Sequence, residues 1–197
     1  DDKITICALG PLTNIAKVLR ENPRVTESIE EIVLMGGGFF EGGNITPAAE
    51  FNIYVDPEAA KIVLESGVKI TMLPLDVTHK TLVQREFLEK LRKSGKNSAI
   101  EAAKLLDFFE RYDVEKYGSK GGPLHDPNVI VYLLNPTIYS GKLVNVEIEV
   151  NSELTRGMTV VDWWNVTDRK PNAYYINDVK YNEFFEIVLN KVLSLEI

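Results

Sequence analysis

Asp56-Pro57-Glu58-Ala59-Ala60-Lys61-Ile62-Val63-Leu64-Glu65-Ser66-Gly67-Val68-Lys69-Ile70-Thr71-Met72-Leu73-Pro74-Leu75 carries a helix start, a helix stop and a strand in unbroken succession. Asp56 offers a capping carboxylate, and Pro57 suits a first turn whose N–H needs no helical partner. Glu58 lies where an acid meets the positive end of the helix dipole. The spacing predicts a helix to Ser66, stopped by Gly67, and a strand over Val68 to Leu75. Upstream, Ile32-Val33-Leu34-Met35 is an apolar run closed by Gly36-Gly37-Gly38, with a long polar loop expected from there to Asp56. Further back, Leu12, Ile15, Val18 and Leu19 repeat at helical spacing until Pro23, after a strand-like run from Ile4 to Leu9 that Gly10-Pro11 breaks. The order is βαβαβ. Such alternation calls for an α/β fold, an open and mostly parallel sheet with covering helices.

Downstream, Gln84 to about Lys116 reads as helix, interrupted near Ser94-Gly95. Asp126-Pro127 repeats the capped start ahead of Val129 to Leu134, an apolar stretch expected to be a buried helix. Val144, Val146, Ile148 and Val150 alternate with Asn145, Glu147 and Glu149, a half-exposed strand that a second strand in Gly157 to Trp163 could pair with. Phe184, Phe185, Val188, Leu189 and Val192 form the stripe of a last helix. Without a repeat or linker, residues 1–197 are expected to form a single domain.

Composition narrows the partners. The chain has 29 acidic and 22 basic residues, a net charge of −7, which offers little to a nucleic-acid backbone. No apolar run is long enough to span a bilayer. A lone Cys7 excludes an internal disulfide framework and suits a reducing compartment, so a cytoplasmic protein is expected.

In open parallel sheets, ligands bind beyond the carboxyl ends of the strands. Three such places carry unusual residues: Leu9-Gly10-Pro11-Leu12-Thr13-Asn14; Met35-Gly36-Gly37-Gly38 with Asn44 and Glu50-Phe51-Asn52; and Pro74-Leu75-Asp76-Val77-Thr78-His79. The glycines do not make a phosphate cradle. Gly38 and Gly43 have P-loop spacing, but Asn44 and Ile45 stand where Lys and a hydroxyl are needed, and the dinucleotide spacing from Gly36 lands on Glu41. No G-x-S-x-G elbow is present, and His79 and His125 alone do not suggest a zinc site. Asn44, Glu50, Asn52 and Asp126 instead suit sugar hydroxyls and a hard cation. Taken locally, His125-Asp126-Pro127 fits a capping Asp beside an incidental His as well as a proton donor beside a carboxylate. His79 and Trp163-Trp164 are read as structural.

Together, Leu9-Gly10-Pro11-Leu12-Thr13-Asn14-Ile15-Ala16, Val33-Leu34-Met35-Gly36-Gly37-Gly38, Ala49-Glu50-Phe51-Asn52, Asp56-Pro57-Glu58-Ala59-Ala60, His125-Asp126-Pro127 and Thr155-Arg156-Gly157-Met158-Thr159-Val160 resemble the inosine-uridine-preferring nucleoside hydrolases, in the family's order. The resemblance implies that family's Rossmann-type fold, and Ca²⁺-dependent hydrolysis of the N-glycosidic bond of ribonucleosides through an oxocarbenium-like transition state. It implies Asp126 and the backbone carbonyl of Leu9 as Ca²⁺ ligands. Met35, Asn44, Glu50 and Asn52 would contact ribose, and His125 would protonate the departing base. Tyr112 and Tyr117 fall in the segment that folds over the base, where ordinary helix packing explains them equally well. A homodimer or homotetramer is also implied.

The family's Asp-x-Asp-x-Gly-x-Asp-Asp motif, which supplies most Ca²⁺ ligands, is absent. The chain therefore resembles the C-terminal portion of such an enzyme, its sheet expected to be incomplete at the N-terminus. The expected partners are a small ribonucleoside and the missing N-terminal segment of the same enzyme, with neither nucleic acid nor membrane. The chain alone is expected to be inactive. The alternative is a non-catalytic ribose- or nucleoside-binding domain that keeps the scaffold.

Overall fold

The structure, a computed structural model, describes residues 3–117 and 121–195, and of residues 110–117 the backbone alone. The chain divides into two compact units, one of Asp1–Val77 with Tyr139–Asp178 and one of Thr78–Ile138 with Val179–Ile197.

The first unit is built on a sheet. Its strands are β1 (Ile4–Ala8), β2 (Ile29–Met35), β3 (Ile70–Leu73), β4 (Tyr139–Val144) and β7 (Ala173–Val179), in the order β1-β2-β3-β7-β4. The pairs β1–β2, β2–β3 and β3–β7 are parallel. Ala8 stands opposite Leu34, and Met35 opposite Leu73, so β1, β2 and β3 end at one edge of the sheet. The loops singled out by sequence leave from that edge. A separate antiparallel pair is formed by β5 (Val146–Ile148) and β6 (Thr159–Val161), with Ile148 opposite Thr159.

Local chemistry sets most of these boundaries. Helix α1 (Thr13–Glu21) buries Leu12, Ala16 and Leu19, whereas Val18, expected on the same face, is exposed. Helix α3 (Pro57–Leu64) starts as its sequence requires, with Asp56 Oδ1 accepting from the Ala59 N–H at 3.0 Å. It ends two residues before the expected Ser66, and Gly67 turns the chain with φ +77°. β2 from Ile32 to Met35 and all of β3 are buried on both faces, as strands covered on both sides must be. Ile32, Leu34, Ile53, Ala60, Val63, Met72 and Tyr175 form the middle of this core.

Three expectations need correction. The polar loop before Asp56 contains a short helix, α2 (Phe51–Val55), because the Glu50 carboxylate caps its N–H groups. The third strand stops at Leu73, and α4 (Leu75–Thr78) begins after Pro74. Strand β7 lies between β3 and β4, where no strand was expected.

The second unit is helical: α5 (Arg85–Lys93), α6 (Asn97–Tyr117), α7 (Pro127–Leu134) and α8 (Tyr181–Ser194). Helix α5 buries Phe87, Leu88 and Leu91, and α8 buries Phe184 and Phe185, with Phe87 edge-on to Phe185 at 4.8 Å. Helix α7 is not wholly buried, because Ile130, Leu133 and Leu134 are exposed while Val129 and Val131 face inward. No helix among the described residues is long and apolar enough to cross a membrane.

Candidate active site

In the first unit, four residues expected at ribose form one bonded array. Met35 ends β2, and its carbonyl accepts from Asn52 Nδ2 at 3.0 Å, with the Met35 sulfur 3.4 Å from the same nitrogen. That bond orients the Asn52 amide, leaving Oδ1 with no hydrogen bond among the described residues. Glu50 is buried, and both its oxygens meet backbone donors: Oε1 accepts from Asn52 N at 2.9 Å, and Oε2 from Gly37 N at 3.0 Å and Ile53 N at 3.3 Å. Asn44 Oδ1 accepts from Phe51 N at 2.9 Å. The fold thus ties the glycine loop after β2 to the start of α2.

A second carboxylate holds the same loop. Asp76 is buried in α4 and accepts from Phe39 N at 3.0 Å, from Glu41 N at 2.8 Å and from the Tyr175 hydroxyl. Burial, then the Asp76 charge, pushes the Tyr175 phenol well up, so it stays a donor. In sequence Asp76 is visible only as part of a loop and Tyr175 carries no signal, because their contact joins residues 99 apart in the chain. Leu9, with Gly10, follows β1 at the same edge.

The second unit holds the titratable pair. His125 and Asp126 precede α7, but Asp126 is not its cap: it has helical φ and ψ and makes no side-chain cap bond. The carboxylate is half-buried, and burial raises its pKa. His125 Nδ1 lies 2.8 Å from Thr78 Oγ1. The His79 ring, read as structural, stands 5.7 Å from the His125 ring. Burial, then the neighbouring charge of His79, pushes the His125 pKa down to about 4. The ring is therefore neutral near pH 7, contrary to the ready cation that a free His would supply. A cavity of about 600 Å³ opens beside it, lined by Val83, Leu105, Phe108, Phe109, Pro123 and Leu124 together with His125 and Asp126. Phe108 and Phe109 are exposed, so aromatic faces stand at its mouth. The side chains of Tyr112 and Tyr117 lie outside the described residues.

Residues 1–186 match the model of the family described as inosine-uridine preferring nucleoside hydrolase. The chain belongs to that family. Among curated relatives, the chain is 48% identical over 189 residues to an uncharacterized protein of Schizosaccharomyces pombe, covering 96% of this chain and 61% of that one. It is 44% identical over 192 residues to the pyrimidine-specific ribonucleoside hydrolase RihA of Shigella boydii, covering 97% and 61%. Among solved structures, a purine-preferring ribonucleoside hydrolase from Gardnerella vaginalis superposes with a TM-score of 0.87 at 30% identity, covering 96% of this chain and 60% of that one. The chain spans about three-fifths of the length of the relatives it matches.

Calcium, which the family resemblance implies, needs six to eight oxygens and several negative charges. Among the described residues, no group of three or more His, Cys, Asp or Glu side chains could hold a metal. Asp126 suits one ligand position, since its carboxylate spends nothing on capping. As a complete site, these donors do not fit.

Proposed function

We propose that this chain carries the ribose- and base-recognising part of a ribonucleoside hydrolase, which cleaves the N-glycosidic bond by adding water across it. The C1′–N bond breaks with its electron pair passing to the base. Water supplies hydroxyl to C1′, and a proton ends on the base. The observation that carries this reading is the Met35–Asn52–Glu50–Gly37 array. These backbone and carboxylate contacts hold the Asn52 amide by its nitrogen and leave its oxygen suited to accept from a sugar hydroxyl.

Asn52 Oδ1 accepts a hydrogen bond from a ribose hydroxyl, Met35 packs beneath the sugar, and Asn44 with Glu50 holds the loop that closes on it. The apolar cavity of the second unit admits a planar base between Phe108, Phe109 and Pro123, where exclusion of water strengthens each polar contact. His125 meets the leaving base. Because burial holds its ring neutral, it acts as an N–H donor that stabilises negative charge growing on the base. Asp126 and the Leu9 carbonyl are the chain's contributions to a calcium ion. The remaining carboxylates come from outside residues 1–197, and β1, which pairs only with β2 among the described residues, suits a further strand from the same enzyme. Assembly as a homodimer or homotetramer and a cytoplasmic location complete the proposal.

The test uses a full-length protein that carries this chain. His125→Ala should lower kcat for uridine and inosine by about 10²–10³-fold, the worth of one donor aimed at developing charge. It should spare p-nitrophenyl riboside, whose leaving group needs no such help. Equal losses on both substrate types overturn the role of His125. Residues 1–197 alone, with millimolar Ca²⁺, should release no base. Ribose binding without turnover in the full-length protein would favour the non-catalytic alternative.

A further inference from the structure

Thr78 is wholly buried, and its hydroxyl has one hydrogen-bonding partner among the described residues, His125 Nδ1 at 2.8 Å. A buried hydroxyl must place its own proton, since an orphaned donor in a dry site is costly. A helical threonine can turn that proton toward the carbonyl three or four residues back, here Leu75 or Pro74, but Thr78 Oγ1 makes no bond to either. The remaining acceptor is the Nδ1 lone pair. If the ring instead carried its proton on Nδ1, Oγ1 would accept it and the Thr78 hydroxyl proton would be left without an acceptor.

The spacing of this pair is set by a frame that needs no ligand. Thr81 Oγ1 donates to the carbonyls of Thr78 and, at 3.3 Å, Leu124. Leu124 N returns to the Thr81 carbonyl at 3.0 Å, and buried Asn128 donates to Thr81 Oγ1 at 2.9 Å and to the Leu124 carbonyl at 2.5 Å. The end of α4 is thereby stitched to the residue immediately before His125.

We propose that Thr78 is a positioning residue that fixes His125 as its Nε2–H tautomer, so that the ring offers a donor at Nε2 whether or not substrate is present. The catalytic consequence rests on the reading of His125 given above; the tautomer does not. A neutral ring held this way can support a leaving base without first becoming a cation. The opposite tautomer would present a lone pair there and repel the base nitrogen or oxygen that gathers charge.

The experiment is imidazole ¹⁵N–¹H correlation on the full chain labelled at histidine. With only His79 and His125 in the sequence, His125→Gln assigns both rings. At pH 7.5, wild-type Nε2 should appear as the protonated nitrogen and Nδ1 as the hydrogen-bonded lone-pair nitrogen. Thr78→Val, which keeps the shape and removes the hydroxyl, should convert His125 to a mixture of tautomers. Thr78→Ser should restore it, and the backbone amide spectrum reports whether each variant is folded. A wild-type ring protonated at Nδ1, or a folded Thr78→Val ring unchanged from wild type, overturns the proposal. In the full-length enzyme, Thr78→Val should lower kcat on uridine by about tenfold or more with KM little changed, as loss of a group that orients a site residue does. It should leave p-nitrophenyl riboside unaffected. Wild-type protein without nucleosidase activity would remove the hydrolase reading and leave the ring spectrum as the judge of the tautomer.

Discussion

Gly37 donates its backbone N–H to Glu50 Oε2 at 3.0 Å, in a buried contact that closes the loop after β2 onto the cap of α2. The same carboxylate accepts from Asn52 N and Ile53 N, so each of its oxygens faces a donor. Glu50→Gln must set an amide NH₂ against one of those donors. It should destabilise the chain by about 1–3 kcal/mol, and Glu50→Ala by at least as much. Urea unfolding midpoints check this. Midpoints at the wild-type value in both variants would show that Glu50 does not brace the loop.

Gly37 and Thr159 make a pair of opposite expectations. Gly37 has φ +83°, and a Cβ there would lie 2.8 Å from Thr159 Oγ1 and 3.2 Å from Met72 Cε. Gly37→Ala should therefore cost about 1–2 kcal/mol in backbone strain, with the clash added. Thr159 Oγ1 is buried and has no hydrogen-bond partner among the described residues. Thr159→Val removes that orphan and should raise stability by about 1 kcal/mol, read as a higher thermal midpoint. A drop of that size would reveal a bond to the hydroxyl.

Asp76 joins three donors, the Phe39 and Glu41 amides and the Tyr175 hydroxyl. Removing the hub orphans all three, whereas Tyr175→Phe removes one donor and leaves the carboxylate two. Asp76→Ala should thus destabilise more than Tyr175→Phe, which should cost about 1.5–3 kcal/mol as a bond to a charged group. The double variant should be clearly less destabilised than the sum, since the two share one contact. Strict additivity in a double-mutant cycle would place the tyrosine outside this network.

Acid should weaken the second unit through His125. Its folded pKa of about 4 lies below the ordinary 6.5, so between those values the unfolded chain binds the extra proton. The stabilisation from keeping the ring neutral is fully present above pH 6.5 and is lost as pH falls toward 4, with a ceiling of about 3 kcal/mol. The raised pKa of Asp126 opposes this at the acid end of the window. Urea midpoints at pH 7 and pH 4.5 should differ more in wild type than in His125→Gln. An equal difference would assign the acid sensitivity to other groups.

The amino-acid sequence alone determined β1, β2, β3, α1 and α3 and their parallel arrangement. Its signals there are local: an apolar run, a turn of Gly-Pro, and a carboxylate before a proline whose capping bond spans three residues, Asp56 to Ala59. The segments that carry Met35, Asn44, Glu50, Asn52, His125 and Asp126 were legible for the same reason. What depended on distant partners was not. The place of β7 between β3 and β4 is a pairing choice that no periodicity states. Whether Ile130, Leu133 and Leu134 are covered depends on what packs against α7, not on their own apolarity. Asp126 looked like a cap because its neighbours allow one, yet its backbone turned helical and left the carboxylate uncommitted. The bond between Thr78 and His125 joins residues 47 apart, and only the folded chain brings that hydroxyl to that nitrogen. Propensity acts within a turn, while burial and hydrogen-bond partnership are settled across the whole core, where a side chain's neighbours come from elsewhere in the chain.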